Sequence, residues 1–346
     1  MTRPTSVSRA IRCAALPALL LASSAHAQAI AWGSNGQGQC DLDGFGRVIG
    51  ISGGFAHTML LSGCGDIAVV GDNSAGQLNF PVGIGPTMEI AAGAMHCAAV
   101  DFNGVVVCWG DNSFQQCSVP PALRGVMAIA AGGFHTIAWR PTGIVMWGLN
   151  GSGQCTAPAG LGVPLSVNGG GLHTVAITSN GKLSAWGDNG AGQLQTPSMS
   201  VVKVDAGAAH SVALSPSGVV VAWGDNSYGQ CDVPAWLQGV TDIAAGGNFC
   251  IALDSNNKIH AWGDGSVGQL LVPTDFAATP RLAAGYSHAV AYFACPADLN
   301  LDGVVDGSDM ALLLLGWGTP NGDVDCSGTT DSGDLTLLLA TWGSCI

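Results

Sequence analysis

The sequence predicts an all-β chain, a seven-bladed β-propeller closed by its own N-terminal strand, with a small α-helical calcium-binding module behind it. Three observations carry that reading: one phrase repeated seven times, complementary ends to the array, and two acidic loops in tandem near the C-terminus.

The phrase is Gly-x-x-His, a short turn, then Ala-Trp-Gly-Asp-Asn-x-x-Gly-Gln. Its Trp-Gly glycine recurs at Gly33, Gly71, Gly110, Gly148, Gly187, Gly224 and Gly263, at intervals of 38, 39, 38, 39, 37 and 39 residues. A fixed period of this length marks stacked supersecondary units. Within a unit, His173 to Ile177 alternates as a strand does, Ser179-Asn180-Gly181 turns, and Lys182 to Trp186 returns, which is a β-hairpin. A third strand precedes each Gly-x-x-His, as in Val126 to Ala131, and ends in small residues where backbones crowd.

The array opens at Ala29-Ile30-Ala31-Trp32-Gly33 with no preceding Gly-x-x-His. It closes at Gly285-Tyr286-Ser287-His288 with no following Trp-Gly. Each end lacks what the other has, so the first strand completes the last hairpin and leaves no open ring edge. These residues, about 29 to 294, resemble the repeat of the regulator of chromosome condensation family, and the short period is similar to that of its secreted relative β-lactamase inhibitor protein II. The resemblance implies a seven-bladed propeller that binds protein through one face. Chromatin binding and nucleotide exchange are not carried over, because the chain reads as acidic and exported.

The address is at the start: Arg3, Arg9 and Arg12, an apolar run from Ala14 to Leu21, then Ala25-His26-Ala27. This reads as a signal peptide over residues 1–27, which makes the mature protein secreted or held at the cell surface. Losing three arginines takes the formal charge from −13 to −16 and leaves seven basic residues against 23 acidic ones. That sign repels phosphate backbones and anionic lipid, so no nucleic-acid partner is expected. No later stretch is apolar for long enough to span a membrane, and a monomer is expected.

Past the propeller (28–294), residues 295–346 contain no basic residue and two similar segments offset by 25. One runs from Asp298 through Asn300, Asp302, Val304 and Asp306 to Asp309; the other runs from Asp323 through Asp325, Ser327, Thr329 and Asp331 to Asp334. Oxygen donors at loop positions 1, 3, 5, 9 and 12, a backbone carbonyl at 7 and glycine at 6 are what a hard cation of six to eight ligands requires. Two Ca²⁺ ions are expected, the second held more weakly because Ser327 replaces a carboxylate. Position 12 is Asp rather than Glu, and a short Leu-rich helix follows each loop. Both features resemble a dockerin, a pair of half EF-hands that docks onto a cohesin. The resemblance implies recognition at Gly307, Ser308, Ser332 and Gly333.

Eleven cysteines survive cleavage. Cys40, Cys117, Cys155 and Cys231 interchange with Leu78, Leu194 and Leu270 and read as small buried hydrophobes. Cys97 and Cys108 flank a turn and could bridge a hairpin, while Cys295, Cys326 and Cys345 frame the tail.

Recurring residues read as scaffold. His57, His96, His135, His173, His210 and His288, with Phe249 in the remaining copy, fall one to a blade, whereas a metal needs three or four convergent ligands. The repeat Asn, Asn35 to Asn226, reads as a left-handed turn position, and the repeat Gln as a blade-to-blade bridge. Function is sought where the copies disagree. Within Gly-x-x-His, Phe55, Met95, Phe134, Leu172 and Tyr286 are large, and would form an apolar arc for a protein or glycan if the loops share a rim. Phe114, Tyr228 and Trp236 are weaker candidates in connecting loops. On the innermost strands, Asn168 and Asp205 place polar groups near the axis, and Lys203, Asp242 and Arg281 occupy equivalent places on successive blades.

No nucleophile elbow, zinc-protease helix or phosphate loop occurs. Glycoside hydrolysis needs two positioned carboxylates, and the non-repeat ones, Glu89, Asp205, Asp242 and Asp275, are scattered. The reading is a non-enzymatic binding protein tethered by its tail to a cohesin or cell-surface assembly. Its alternatives are a carbohydrate-active member of a polysaccharide-degrading complex and an inhibitor of a secreted enzyme.

Overall fold

A computed structural model of the chain describes residues 29–42, 45, 48–81, 83–274, 280–292, 297–299, 304–319, 321–324, 327 and 329–344. Among the described residues there are seven three-stranded antiparallel sheets. Blade 1 comprises Val48–Gly53, His57–Ser62 and Ile67–Gly71; blade 2, Thr87–Ala92, His96–Asp101 and Val106–Gly110; blade 3, Ala128–Ala131, His135–Arg140 and Gly143–Gly148. Blade 4 comprises Ser166–Gly169, His173–Ile177 and Leu183–Gly187; blade 5, Lys203–Ala206, His210–Leu214 and Val220–Gly224; blade 6, Val240–Ala245, Phe249–Asp254 and Ile259–Gly263.

Blade 7 is built from both ends of the repeat array. Arg281–Ala284 and His288–Tyr292 receive Ala29–Gly33 as third strand, with Ala31 opposite Val290 and Gly33 opposite His288. A second circuit closes the ring at the Gly-x-x-His loops. Phe55 N–H donates to the Ala94 carbonyl, Ala94 to Gly133, Gly133 to Gly170, Gly171 to Gly207, Ala208 to Gly247, Gly247 to Tyr286, and Tyr286 back to Gly54. The inner strands are paired within blades, so these amides are the groups left to satisfy between blades.

Six of the seven blade interfaces are held by a short polar relay. Thr58, Thr136 and Thr174 donate their hydroxyls to the carbonyls of Gln39, Gln116 and Gln154 on the preceding blade. A hydroxyl whose proton is so engaged must accept from the imidazole, so Nε2 of His288, His96 and His135 carries the hydrogen at 2.8–3.0 Å from those hydroxyls. Ser211 Oγ lies 2.9 Å from His173 Nε2, while Cys97 and Cys250 stand in the hydroxyl position opposite His57 and His210. The six Nδ1 atoms are then bare acceptors without a partner. Burial drags the histidines down from 6.5 to about 4, and to about 3 for His135.

The seventh interface shows what the relay requires. Phe249 replaces its histidine, and the residue in the hydroxyl position on the next blade is Ala289, so neither side carries a polar group; both are fully buried in one apolar cluster. The first glycine of each Gly-x-x-His is fixed by the ring beneath it. A Cβ at Gly54 would lie 2.2 Å from the His57 ring, and one at Gly246 would lie 1.9 Å from the Phe249 ring.

Several loop expectations shift. The repeat Asn is not the left-handed residue: positive φ falls three positions later, at Gly38, Gly76, Gly153, Gly192, Gly229 and Gly268, and at Gln115 with φ 65°. Asn instead closes the loop with its side chain, as where Asn112 Oδ1 accepts from Cys117 N–H at 2.9 Å. The repeat Gln bridges blades through its backbone carbonyl, which takes the indole N–H of Trp109, Trp186, Trp223, Trp262 or Trp32 at 2.8–3.0 Å. Its side chain serves its own loop, as where Gln116 Oε1 accepts from Phe114 N–H and its amide donates to Asp111.

Cys97 and Cys108 are free thiols and form no bridge. In register Cys97 faces Trp109 and Cys108 faces Ala98, and the Cys97 thiol is occupied by the relay. Cys40, Cys117, Cys155 and Cys231 are half-buried and free, their thiols donating to carbonyls within their own loops. Cys64 is disulfide-bonded. Cys295, Cys326 and Cys345 lie outside the described residues.

Two short helices form in the tail, α1 (Gly307–Leu315) and α2 (Ser332–Ala340), around Ala297, Val305, Leu313, Val324 and Leu338. Each starts on an Asp N-cap with a full capping box, Asp306 with Asp309 and Asp331 with Asp334. No described helix is long and apolar enough to cross a membrane.

Candidate functional site

The innermost strands and Gly-x-x-His loops enclose an axial cavity of about 660 Å³. Its wall is mostly small: Ala91, Ala130, Ala206, Ala283 and the loop glycines all line it. Small residues are dictated by the convergence of seven backbones on one axis, and they leave the few large side chains at the rim conspicuous.

Phe55, Phe134, Leu172 and Tyr286 line this cavity. They do not form one continuous arc. Phe55 and Tyr286 stack on one another, ring centroids 4.5 Å apart and tilted by 34°, with 49% and 38% of their surfaces exposed. Ring closure is what makes this pair, because Phe55 belongs to blade 1 and Tyr286 to blade 7. Phe134 packs edge-on to Phe114 of the neighbouring loop at 5.4 Å, forming a second aromatic pair. Sequence reasoning placed Phe114 apart from the arc because it lies in a different copy of a different loop. Met95 is half-buried and does not line the cavity.

The polar residues of the inner strands join consecutive blades. Ser52 Oγ accepts from Ala92 N–H, Glu89 from Ile129 N–H, Asp205 from Ala245 N–H and Asp242 from Leu282 N–H, each at 2.9 Å, while Asn168 donates to the Val204 carbonyl at 2.8 Å. Lys203 pairs with Asp242, whereas Arg281 is exposed and makes no ion pair among the described residues. Burial pushes the Glu89 carboxyl up to about 7 and raises that of Asp205. Glu89 in blade 2 and Asp205 in blade 5 stand on opposing arcs of the wall. Each carboxylate is committed to a backbone amide, which suits a fixed wall better than the paired acid and base of glycoside hydrolysis. Asp275 lies outside the described residues.

Nine of the twelve expected cation ligands lie among the described residues. Asp298, Asp309, Asp323 and Asp334 are buried, at 3%, 0%, 8% and 0% exposure. Asp309 accepts from Leu299 and Asp306 N–H, and Asp334 from Val324 and Asp331 N–H, so the last residue of each loop folds back on its beginning. Ser327 Oγ donates to the Thr329 carbonyl at 3.0 Å. Among the described residues, Val304–Val305 pairs with Gly343–Ser344, and Thr330 bridges Trp317. Among the described residues no group of three or more His, Cys, Asp or Glu side chains gathers as a metal site. Asn300, Asp302 and Asp325 lie outside those residues. Gly307, Ser308 and Ser332 are exposed and Gly333 half-exposed at the helix starts, with the Ser308 hydroxyl bonded to Asp306 at 2.6 Å.

The sequence profile of the Regulator of chromosome condensation (RCC1) repeat matches residues 89–116, 165–193, 201–230 and 240–269. The fold is similar to that of Prp20p from Saccharomyces cerevisiae, whose structure was described with its binding to Gsp1p and histones: TM-score 0.65, 17% identity, covering 76% of this chain and 90% of that one. Yeast RCC1 (Prp20) bound to Kap60 gives a TM-score of 0.65 at 17% identity over 82% and 96% of the two chains. Human WBSCR16 gives 0.60 at 19% identity over 71% and 87%. No curated protein matches the chain significantly. Taken with the three-stranded sheets and the Gly-x-x-His loops that close on one another, these matches show four RCC1-type repeats within residues 89–269 and a fold similar to that of Prp20p.

Proposed function

We propose that this is an exported binding protein whose propeller presents the mouth of its axial cavity to a protein partner, and whose tail loads calcium and docks onto a cohesin or other cell-surface protein. The stacked, half-exposed Phe55–Tyr286 pair carries the first part. Exposed aromatics held rigid at the rim of a cavity are what binding hot spots are made of, and the surrounding residues are absorbed in the scaffold. Prp20p, a propeller of the same fold, binds Gsp1p and histones, which supports protein binding as a use of the architecture. The leader-like residues 1–27 and the disulfide at Cys64 support export.

Calcium is supported by the chemistry of the tail. Four buried carboxylates sit in a segment, 295–346, that contains no Lys, Arg or His. Oxygen donors at this loop spacing, with Asp309 and Asp334 folded back on the start of each loop, are the donor set that a hard divalent cation takes. The donors would be Asp298, Asn300, Asp302, Asp306 and Asp309 with the Val304 carbonyl, and Asp323, Asp325, Ser327, Asp331 and Asp334 with the Thr329 carbonyl. The exposed helix starts, Gly307, Ser308, Ser332 and Gly333, would face the docking partner.

Calorimetry of the full chain with CaCl₂ tests the tail: two ions are expected, one lost in Asp309→Asn and one in Asp334→Asn. Absence of calcium uptake by the wild type removes the tail reading. For the propeller, a partner captured from the source's secreted fraction by wild type should be lost on Phe55→Ala/Tyr286→Ala with thermal stability retained. Unaltered capture by that variant removes the cavity mouth as the binding face.

A further inference from the structure

Identical copies in a repeat protein act as controls for one another, and two connecting segments share one pattern. Residues 119–126 read Val-Pro-Pro-Ala-Leu-Arg-Gly-Val and lead into blade 3; residues 233–240 read Val-Pro-Ala-Trp-Leu-Gln-Gly-Val and lead into blade 6. Their backbones are fastened alike. Leu123 N–H donates to the Pro120 carbonyl and Leu237 to Pro234, while Val126 donates to Gly104 and Val240 to Gly218.

Among the positions that differ between the two copies, three carry side chains that meet in blade 6. Ala122 becomes Trp236; Val145, three residues before the Trp-Gly glycine of blade 3, becomes His260 in blade 6; and Arg140, closing the middle strand, becomes Asp254. The three new side chains touch in series. Asp254 Oδ2 holds the His260 ring through Nε2 at 2.9 Å, and the His260 ring packs edge-on against Trp236 with centroids 5.0 Å apart. His260 is the one histidine of the described residues that lies outside the blade relay, and its ring is largely buried. Trp236 is 65% exposed.

An exposed indole held in place by two residues that co-occur with it is not explained by blade packing, since Ala122, Val145 and Arg140 complete the same frame without it. We propose that Trp236, steadied by His260 and Asp254 on the flank of blade 6, is a binding platform for a neutral saccharide. The indole face carries negative electrostatic potential, which suits the polarised C–H bonds on the flat side of a pyranose. The neighbours decide the class of ligand. The Ser255 N–H bond to the Gly239 carbonyl at 2.9 Å joins the segment that carries Trp236 to the 254–258 turn, and on these two segments Gln238, Thr241, Asn256, Asn257 and Lys258 are exposed and polar. Amides and an ammonium satisfy sugar hydroxyls. A protein hot spot would instead sit within a wider apolar core.

This site is separate from the cavity mouth and does not depend on the partner proposed there. The test is calorimetric titration of the full chain with cellohexaose, xylohexaose and maltohexaose. At least one should bind with a dissociation constant of about 1 mM or tighter. Trp236→Ala should weaken that binding by about tenfold or more, His260→Val by a smaller factor, and Trp236→Phe should recover part of the loss. Phe55→Ala/Tyr286→Ala should leave it unchanged. Because Ala122 and Val145 occupy these places in the sister copy, both truncations are expected to fold with the wild-type thermal midpoint. No binding of any of the three by wild type overturns the proposal, as does binding that survives Trp236→Ala.

Discussion

Single residues in this chain are best read against their own copies. Gln115 stands at φ 65°, a position that is glycine in every other blade. A left-handed backbone costs a side-chain-bearing residue about 1–2 kcal/mol, so Gln115→Gly should raise the thermal midpoint by the equivalent of roughly 1 kcal/mol. A lowered midpoint in a melting curve would show that the Gln115 side chain contributes more than its strain costs. The sequence showed that Phe114-Gln115 departs from the pattern, but not which residue carries the departure. Copies aligned one against another locate a difference, whereas the 5.4 Å contact of Phe114 with Phe134 joins residues from two blades and is invisible along the chain.

Between elements, the relay is the unit of cohesion, and its exception is a matched pair. Phe249→His alone places an N–H donor against Ala289, where nothing accepts, and should cost about 2 kcal/mol or more. Adding Ala289→Thr supplies the acceptor, whose hydroxyl proton reaches the Gln269 carbonyl already taken by Trp32. In a double-mutant cycle by denaturant unfolding, the pair should show a favourable coupling of about 1–2 kcal/mol; strict additivity would contradict the relay. Recurrence made His57 and its equivalents legible as scaffold, and periodicity made the blades legible as strands. Phe249 stood out along the chain, but its match to Ala289 was missed because the two residues lie 40 apart and meet only across a blade interface. The tail is legible in another way: its helices start where the loop spacing of Asp306–Asp309 and Asp331–Asp334 puts them.

Over the whole molecule, the buried imidazoles make the ring sensitive to acid. In the unfolded chain a histidine takes up its proton near 6.5, while the six folded ones wait until about 4 or, for His135, about 3. The unfolded state therefore binds more protons across that window. Stability is complete above pH ~6.5 and falls as the pH drops toward ~4. Glu89 works the other way, because its raised value favours the fold at low pH and withdraws that contribution as the pH climbs toward 7, and the raised Asp205 and Asp66 carboxyls act in the same sense; three such groups do not offset six. Thermal midpoints should drop steeply between pH 6.5 and 4, and a flat profile over that range would mean that the imidazoles are not buried neutral.

Everything at this scale depends on the ring being closed by the strand that begins it, since closure also sets Phe55 of blade 1 against Tyr286 of blade 7. Blade count and closure were legible in the sequence from the complementary ends of the array. The stacked pair was only half legible, because its two residues are brought together by the last step of assembly. Native-state hydrogen exchange of residues 29–33 tests this most directly. Amides bonded to His288–Tyr292 should be protected as strongly as those of the central strands and exchange only when the whole ring opens. Exchange of those amides at the rate of an unpaired segment, with the blade centres still protected, would contradict it.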